Sequence, residues 1–165
     1  GAADLLIAAH FAETLQLGTT SFTASGPDPS EPDGLVIVVD VDGKNPTATQ
    51  MRGVSDTIFG AQAWAVSSHP QGKWVAAGQY ESALEVGNAS LGNAGDYDIG
   101  VVRDAGSGWA GHRYGDANSD FVRAIAISPS QQLIMIGHIW GVPDFGTGTP
   151  EPGSDRMFIA ELPLP

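Results

Sequence analysis

Cysteine is absent from this sequence of 165 residues, and lysine and arginine together number only 7. Without cysteine the chain forms no disulfide, no thiolate nucleophile and no cysteine-ligated zinc site. The 19 acidic residues give a net charge of −12, which disfavours nucleic acid and anionic membrane surfaces as partners. The longest apolar run, Leu35 to Val39, falls far short of the roughly 18 residues of a membrane span. We therefore expect no nucleic-acid partner and no membrane insertion.

Glycine and proline are plentiful, at 22 and 11 residues. They are the two poorest helix formers, so the composition disfavours a helical bundle and favours short strands joined by turns. An acidic, cysteine-free chain is typical of bacterial secreted or cell-surface proteins, and we expect an extracytoplasmic location, although many cytosolic proteins also lack cysteine. The sequence begins almost directly in a strand pattern and stops soon after another, so we expect both ends to be cut.

Three segments of the chain repeat one pattern, beginning at Leu5, Trp74 and Leu133. Each holds an apolar strand whose seventh residue is large, and an apolar–glycine pair starts six positions later. A second strand follows each segment, and further apolar-alternating strands precede the second and third. About sixty residues with four short antiparallel strands is the size of one β-propeller blade. The strand count is three, then four, then three.

These segments resemble the bacterial "seven-bladed β-propeller" (SBBP) repeat. The resemblance is carried by Gly115–Asp120, Ala124–Ile127, Leu133–Ile139, Asp144-Phe145-Gly146, Asp98–Asp104 and Gly106–Trp109. It implies an all-β fold of four-stranded antiparallel blades, with one full blade at 63–118 between partial blades at 1–62 and 119–165. The matching residues are mainly structural, so the resemblance implies a fold more than an activity.

A propeller with so few blades is incomplete, because closure takes at least about four. An open stack leaves strand edges unpaired and apolar blade faces exposed, and both invite association. We therefore predict a partial propeller that is a segment of a larger one or completes one with another chain.

Calcium is the one cofactor that the sequence suggests. Asp40, Asp42 and Asn45 have the spacing that opens an EF-hand-like loop. The twelfth position, where such a loop needs a bidentate glutamate, is Met51, which offers no oxygen ligand. We favour a plain hairpin turn between two strands and expect no cofactor, with calcium as the alternative interpretation.

An enzyme is the alternative to a binding module. Asp104–Trp109 resembles the Asp box of sialidase-type propellers, which is itself a structural hairpin. Sialidase-type catalysis would also need an arginine cluster and a Tyr–Glu nucleophile pair. Tyr114 offers the phenol, but no glutamate lies near it in sequence; the available arginines are Arg103, Arg113, Arg123 and Arg156. We expect no enzymatic activity.

Aromatic residues give the candidate ligand-binding positions, which are Trp140, Tyr97, Tyr80 and His138. Trp140 lies at a strand end and Tyr97 lies between two aspartates, and exposed aromatics flanked by carboxylates are typical of sugar- or protein-binding surfaces. Core packing is favoured for any single aromatic taken alone, and we expect Trp64 and Trp74 in the core between blades.

Taken together, these patterns predict a non-enzymatic, extracytoplasmic β-propeller module for binding or scaffolding. Its partners would be other chains or the rest of a larger propeller, met through exposed blade faces, and a carbohydrate or surface protein. A sialidase-like glycosidase fragment and a purely structural subunit of a surface assembly are the alternatives.

Overall fold

The computed structural model describes residues 5–25, 28, 30–40, 46–54, 61–69, 73–104, 108–145 and 156–164. This part of the chain is built of strands and turns, which confirms the predicted all-β class. It contains no helix that could cross a membrane. The strands are β1 Leu5–Phe11, β2 Thr14–Leu17, β3 Thr20–Thr23, β4 Asp33–Val39, β5 Thr47–Gly53, β6 Ala61–His69, β7 Lys73–Tyr80, β8 Ala83–Val86, β9 Ala89–Gly92, β10 Asp98–Asp104, β11 Trp109–Tyr114, β12 Asp120–Ile127, β13 Gln132–Ile139 and β14 Arg156–Pro163.

The strands form three larger antiparallel sheets and one separate hairpin. Sheet I has the order β1-β4-β5-β8-β9, sheet II the order β11-β10-β7-β6, and sheet III the order β12-β13-β14. The hairpin is β2–β3. Sheet II falls within 61–114, while the blade boundaries at 62 and 118 and the propeller arrangement stay predictions.

The sequence repeat recurs in the pairing register of the three sheets. The last residues of β1, β7 and β13 pair with the first residues of β4, β10 and β14, as Phe11↔Asp33, Tyr80↔Asp98 and Ile139↔Arg156. Positions that match in this alignment are called equivalent below. The hairpins β2–β3 and β8–β9 are equivalent, and their turn glycines, Gly18 and Gly87, have φ of 59° and 57°. These hairpin strands are additional to the strands predicted from the repeat.

Apolar side chains from consecutive sheets form two cores. Alternation along β7 points Trp74 and Ala76 toward sheet I and Val75 and Ala77 toward sheet III, because successive side chains of a strand face opposite sides. The core between sheets I and II includes Val36, Met51, Trp74, Ala76, Tyr80 and Val102. The core between sheets II and III includes Val75, Ala77, Ile99, Val101, Leu133 and Met135.

Equivalent bulges interrupt β6 and β12, and they correct one prediction. The register slips between Ala63 and Ala65 in β6 and between Val122 and Ala124 in β12. The prediction that Trp64 lies in the core is wrong: as the extra residue of the bulge it leaves the inward alternation and is 39% exposed. Trp74 is buried, as expected.

Candidate functional site

Six side chains in or next to strands of three sheets form a continuous surface, here called the aromatic strip: His10, Trp64, Arg123, Phe121, Tyr97 and Trp140. The His10 and Trp64 ring centroids lie 5.9 Å apart, and the Arg123 guanidinium carbon lies 5.3 Å from the Trp64 centroid. The same guanidinium carbon lies 5.7 Å from the Phe121 centroid. Phe121 in turn lies 5.6 Å from Tyr97 and 6.2 Å from Trp140, centroid to centroid.

The two bulges create the centre of the aromatic strip. Trp64 and Arg123 occupy equivalent positions, each at its bulge, and β6 packs against both β1 and β12. A bulge redirects the side chain of its extra residue, so both groups turn out of the cores at neighbouring places and meet as a cation–π pair. At Gly78 and Gly137, opposite the two bulges, a Cβ would collide with the carbonyl oxygens of Gln62 and Phe121, which explains these glycines.

Most of the aromatic strip is accessible to a ligand. Trp140 is 54% exposed, His10 and Arg123 are exposed, and Tyr97 and Phe121 are half-buried. Neighbouring ring planes are tilted by 35° to 75°, so the surface has ridges and hollows and is no flat platform. Burial raises the pKa of Tyr97 to about 12, and its hydroxyl stays a protonated donor at neutral pH.

Buried carboxylates support the strip from beneath. Asp120 is fully buried at the start of β12. Its backbone N–H donates a hydrogen bond to the Tyr97 carbonyl at 2.7 Å. Burial raises the pKa of Asp120 to about 7; the backbone N–H groups of Asp116 and Trp140 oppose this rise, and the charges of Asp116 and Asp98 add to it. Asp120 therefore holds the backbone at both Tyr97 and Trp140.

Two further aspartates belong to this support. The Asp116 carboxylate accepts hydrogen bonds from the backbone N–H groups of Val142 and Asn118, and a Cβ at Gly141 would collide with it. Burial raises the pKa of Asp98, whose Oδ2 accepts the Ala94 N–H at 2.7 Å. Within the residues that the structure describes, no three histidine or acidic side chains are placed to hold a metal ion. Through their bonds to Ala94 and Val142, Asp98 and Asp116 hold backbone near Tyr97 and Trp140.

The structure joins two predicted site residues and places the third beside them. Trp140 and Tyr97 both contact Phe121. His138 is the Cα partner of Phe121 across β12 and β13, so the two side chains share one face of sheet III.

The structure corrects the prediction that Tyr80, the fourth candidate, is available to a ligand. It is fully buried and its hydroxyl donates a hydrogen bond to the Gly92 carbonyl at 2.7 Å. The reason is its place at the end of β7 on the side packed against sheet I, where burial raises its pKa. Tyr80 therefore offers no surface to a ligand.

The predicted calcium loop is only partly within the described residues. Asp40 directly follows β4, whereas Asp42 and Asn45 lie outside the residues that the structure describes. Met51, at the twelfth position, is buried in the core between sheets I and II. The calcium site stays a prediction.

Sequence reasoning missed Trp64, Phe121 and Arg123 as members of the ligand-binding site. The available signal was the repeat itself, since Trp64 and Arg123 are large side chains at equivalent positions. Comparison of the chain with models of protein families, with curated proteins and with solved structures finds no match. The resemblance to the SBBP repeat therefore stays a prediction, and function has to be inferred from the site.

Proposed function

We propose that the chain is a non-enzymatic, extracytoplasmic β-propeller module that binds a ligand through the aromatic strip and forms part of a larger propeller or multichain assembly. The observation that carries the binding role is the strip itself. Tryptophan, tyrosine and arginine dominate the energetics of protein interfaces, and here all three meet on one exposed surface. The tilted rings suit a protein ligand whose side chains enter the hollows.

A carbohydrate is the second candidate ligand. Trp140 is the most exposed of the four tryptophans, at 54%. An exposed indole face beside carboxylates is a surface on which a sugar ring can stack, with its hydroxyl groups bonded to neighbouring polar atoms.

The accessibility of titratable groups supports binding over catalysis. Tyr114, the phenol that a sialidase-type mechanism would need, is only 5% exposed and packs against Phe145 at 5.7 Å between ring centroids. Asp98 and Asp120 are fully buried and hold backbone N–H groups. The Arg113 Nη1 lies 3.6 Å from the Asp98 carboxylate.

The binding role is tested by screening the purified chain against panels of glycans and of cell-surface proteins. Arg123→Ala and Trp140→Ala should each weaken binding to any hit by about 30-fold, the effect of an interface hot spot of about 2 kcal/mol. Ser90→Ala, which changes an exposed residue of β9, is the matched control and should bind as the wild type does. Circular dichroism checks that each variant is folded. A hit that binds both strip variants at wild-type strength would contradict the proposal.

Exposed apolar side chains support the assembly role. Met157 and Ile159 on β14 are 73% and 76% exposed, and Leu5 on β1 is 59% exposed. Large apolar side chains grouped on a sheet face mark an interaction surface.

A further inference from the structure

The outer side of sheet III carries an apolar surface, here called the forward face: Ile134, Ile136, Met157 and Ile159. Ile136 and Ile159 are Cα partners, so their side chains lie next to each other on this face. Its two β14 members, Met157 and Ile159, are 73% and 76% exposed.

The equivalent surface of sheet II is covered. The register makes Ile99 equivalent to Met157 and Val101 equivalent to Ile159. Ile99 and Val101 are both fully buried, because sheet III packs on them. The equivalent surface is therefore covered by a neighbouring sheet in sheet II and exposed in sheet III.

The residues that seal sheet II identify what fits the forward face. Leu133 and Met135 of sheet III belong to the core over Ile99 and Val101. Their equivalents in sheet I are Leu5 and Ile7, which are 59% and 37% exposed. Leu5, Ile7, Ile37 and Val39 lie on one side of sheet I, here called the rear face.

The chain thus displays both halves of an interface that it makes twice internally. Sheet II seals sheet I, sheet III seals sheet II, and the forward and rear faces are the remaining halves. We propose that the forward face of one chain docks on the rear face of a second copy, in the way that sheet III packs on sheet II. This inference rests on the proposed assembly role.

The β2–β3 hairpin supports the same partner. Its equivalent, β8–β9, crosses to the preceding sheet and pairs with β5 through Arg52↔Glu85 and Gly53↔Leu84. Among the described strands β2 and β3 pair only with each other. Docking of a second copy brings a preceding sheet to this hairpin, as sheet I is brought to β8–β9.

Docking leaves Arg123 of the aromatic strip accessible and covers the side of sheet III on which Phe121 lies. Trp64 remains 39% exposed although sheet III covers its sheet, and Arg123 is its equivalent in sheet III. Arg123 therefore stays accessible when the forward face is covered. Two copies supply six of the larger sheets, within the four to eight blades of closed propellers, so we expect a closed pair of chains.

Sedimentation equilibrium of the full chain over a wide concentration range tests the inference. The wild type should have twice the 17.0 kDa mass of one chain. Ile159→Lys and Leu5→Lys should each raise the dissociation constant at least about 30-fold, because each buries an unpaired charge in the interface. Ser90→Lys adds the same charge on β9, at the opposite edge of sheet I from β1, and should remain paired. All three positions are exposed in the single chain, so circular dichroism should be unchanged.

Mixing the two variants separates head-to-tail docking from other arrangements. The Leu5→Lys chain keeps its forward face and the Ile159→Lys chain keeps its rear face, so the mixture should form pairs that neither forms alone. A wild-type monomer at every concentration would overturn the inference, and so would a pair that Leu5→Lys leaves intact, since two forward faces would then be joined. A monomer that still binds its ligand through Arg123 would overturn only this inference, whereas a pair without any ligand would count only against the binding role.

Discussion

Replacing Gly87 by alanine tests how tightly the β8–β9 hairpin is packed. Gly87 has a φ of 57°, in the left-handed region, and a Cβ there would collide with the indole of Trp109. Trp109 cannot yield freely, because its ring lies 4.9 Å from that of Trp74, centroid to centroid, and its backbone N–H donates to Asn88 Oδ1 at 2.9 Å. The substitution therefore strains both the turn and the packing between sheets I and II.

The repeat supplies the control. Gly18 occupies the equivalent turn of β2–β3 with a φ of 59°, but its Cβ would meet no atom within 4 Å. Gly18→Ala should lower the free energy of unfolding by about 1 kcal/mol, because alanine disfavours the left-handed conformation. Gly87→Ala should lower the free energy of unfolding by about 1–3 kcal/mol more than Gly18→Ala, because it also displaces Trp109.

Urea unfolding followed by circular dichroism measures both free energies of unfolding. The two substitutions are best placed in the Ile159→Lys background, so that association of copies does not contribute. A Gly87→Ala cost no larger than that of Gly18→Ala would refute the packing of β8–β9 against Trp109.

Two further substitutions test buried polar groups near the site. Burial raises the pKa of Asp120 to about 7, so its contribution to stability is present below its ordinary value of 3.8 and is lost as the pH rises through about 7. Asp120→Asn should therefore be at least as stable as the wild type at about pH 8, with a flatter dependence on pH in urea unfolding; a steeper loss at high pH would count against the burial argument. Tyr80→Phe should lower the free energy of unfolding by about 1 kcal/mol through loss of its bond to Gly92, with ligand affinity unchanged; weakened binding would restore Tyr80 to the site.

The repeat and the all-β class were predictable because alternation and turn residues are local properties of the chain. The strands around Trp74 and Leu133 fall where the alternation places them. The faces of those strands were harder to predict, since packing of the neighbouring sheet decides which side is covered. Tyr80, between Gln79 and Glu81 in sequence, has the setting of an exposed aromatic and is buried only because sheet I lies over it.

The site was half predictable. Trp140 and Tyr97 could be predicted because each is an aromatic residue near acidic residues in the sequence. Phe121, which contacts both, is the second residue of β12 and lies ahead of the predicted start of that strand at Ala124. Trp64 and Arg123 reach the surface through bulges, which shift the register without a mark in the alternating pattern. A bulge is visible only once the partner strand is known.

The central claim, that the aromatic strip binds the ligand, has reporters built into the chain. Of its 4 tryptophans, Trp64 and Trp140 lie on the strip, whereas Trp74 and Trp109 pack against each other in the core between sheets I and II. The most direct measurement is the ¹H–¹⁵N spectrum of the four indole N–H groups during titration with a hit from the binding screen. The Trp64 and Trp140 signals should shift in proportion to saturation while those of Trp74 and Trp109 stay in place. Shifts confined to Trp74 and Trp109 would contradict the account.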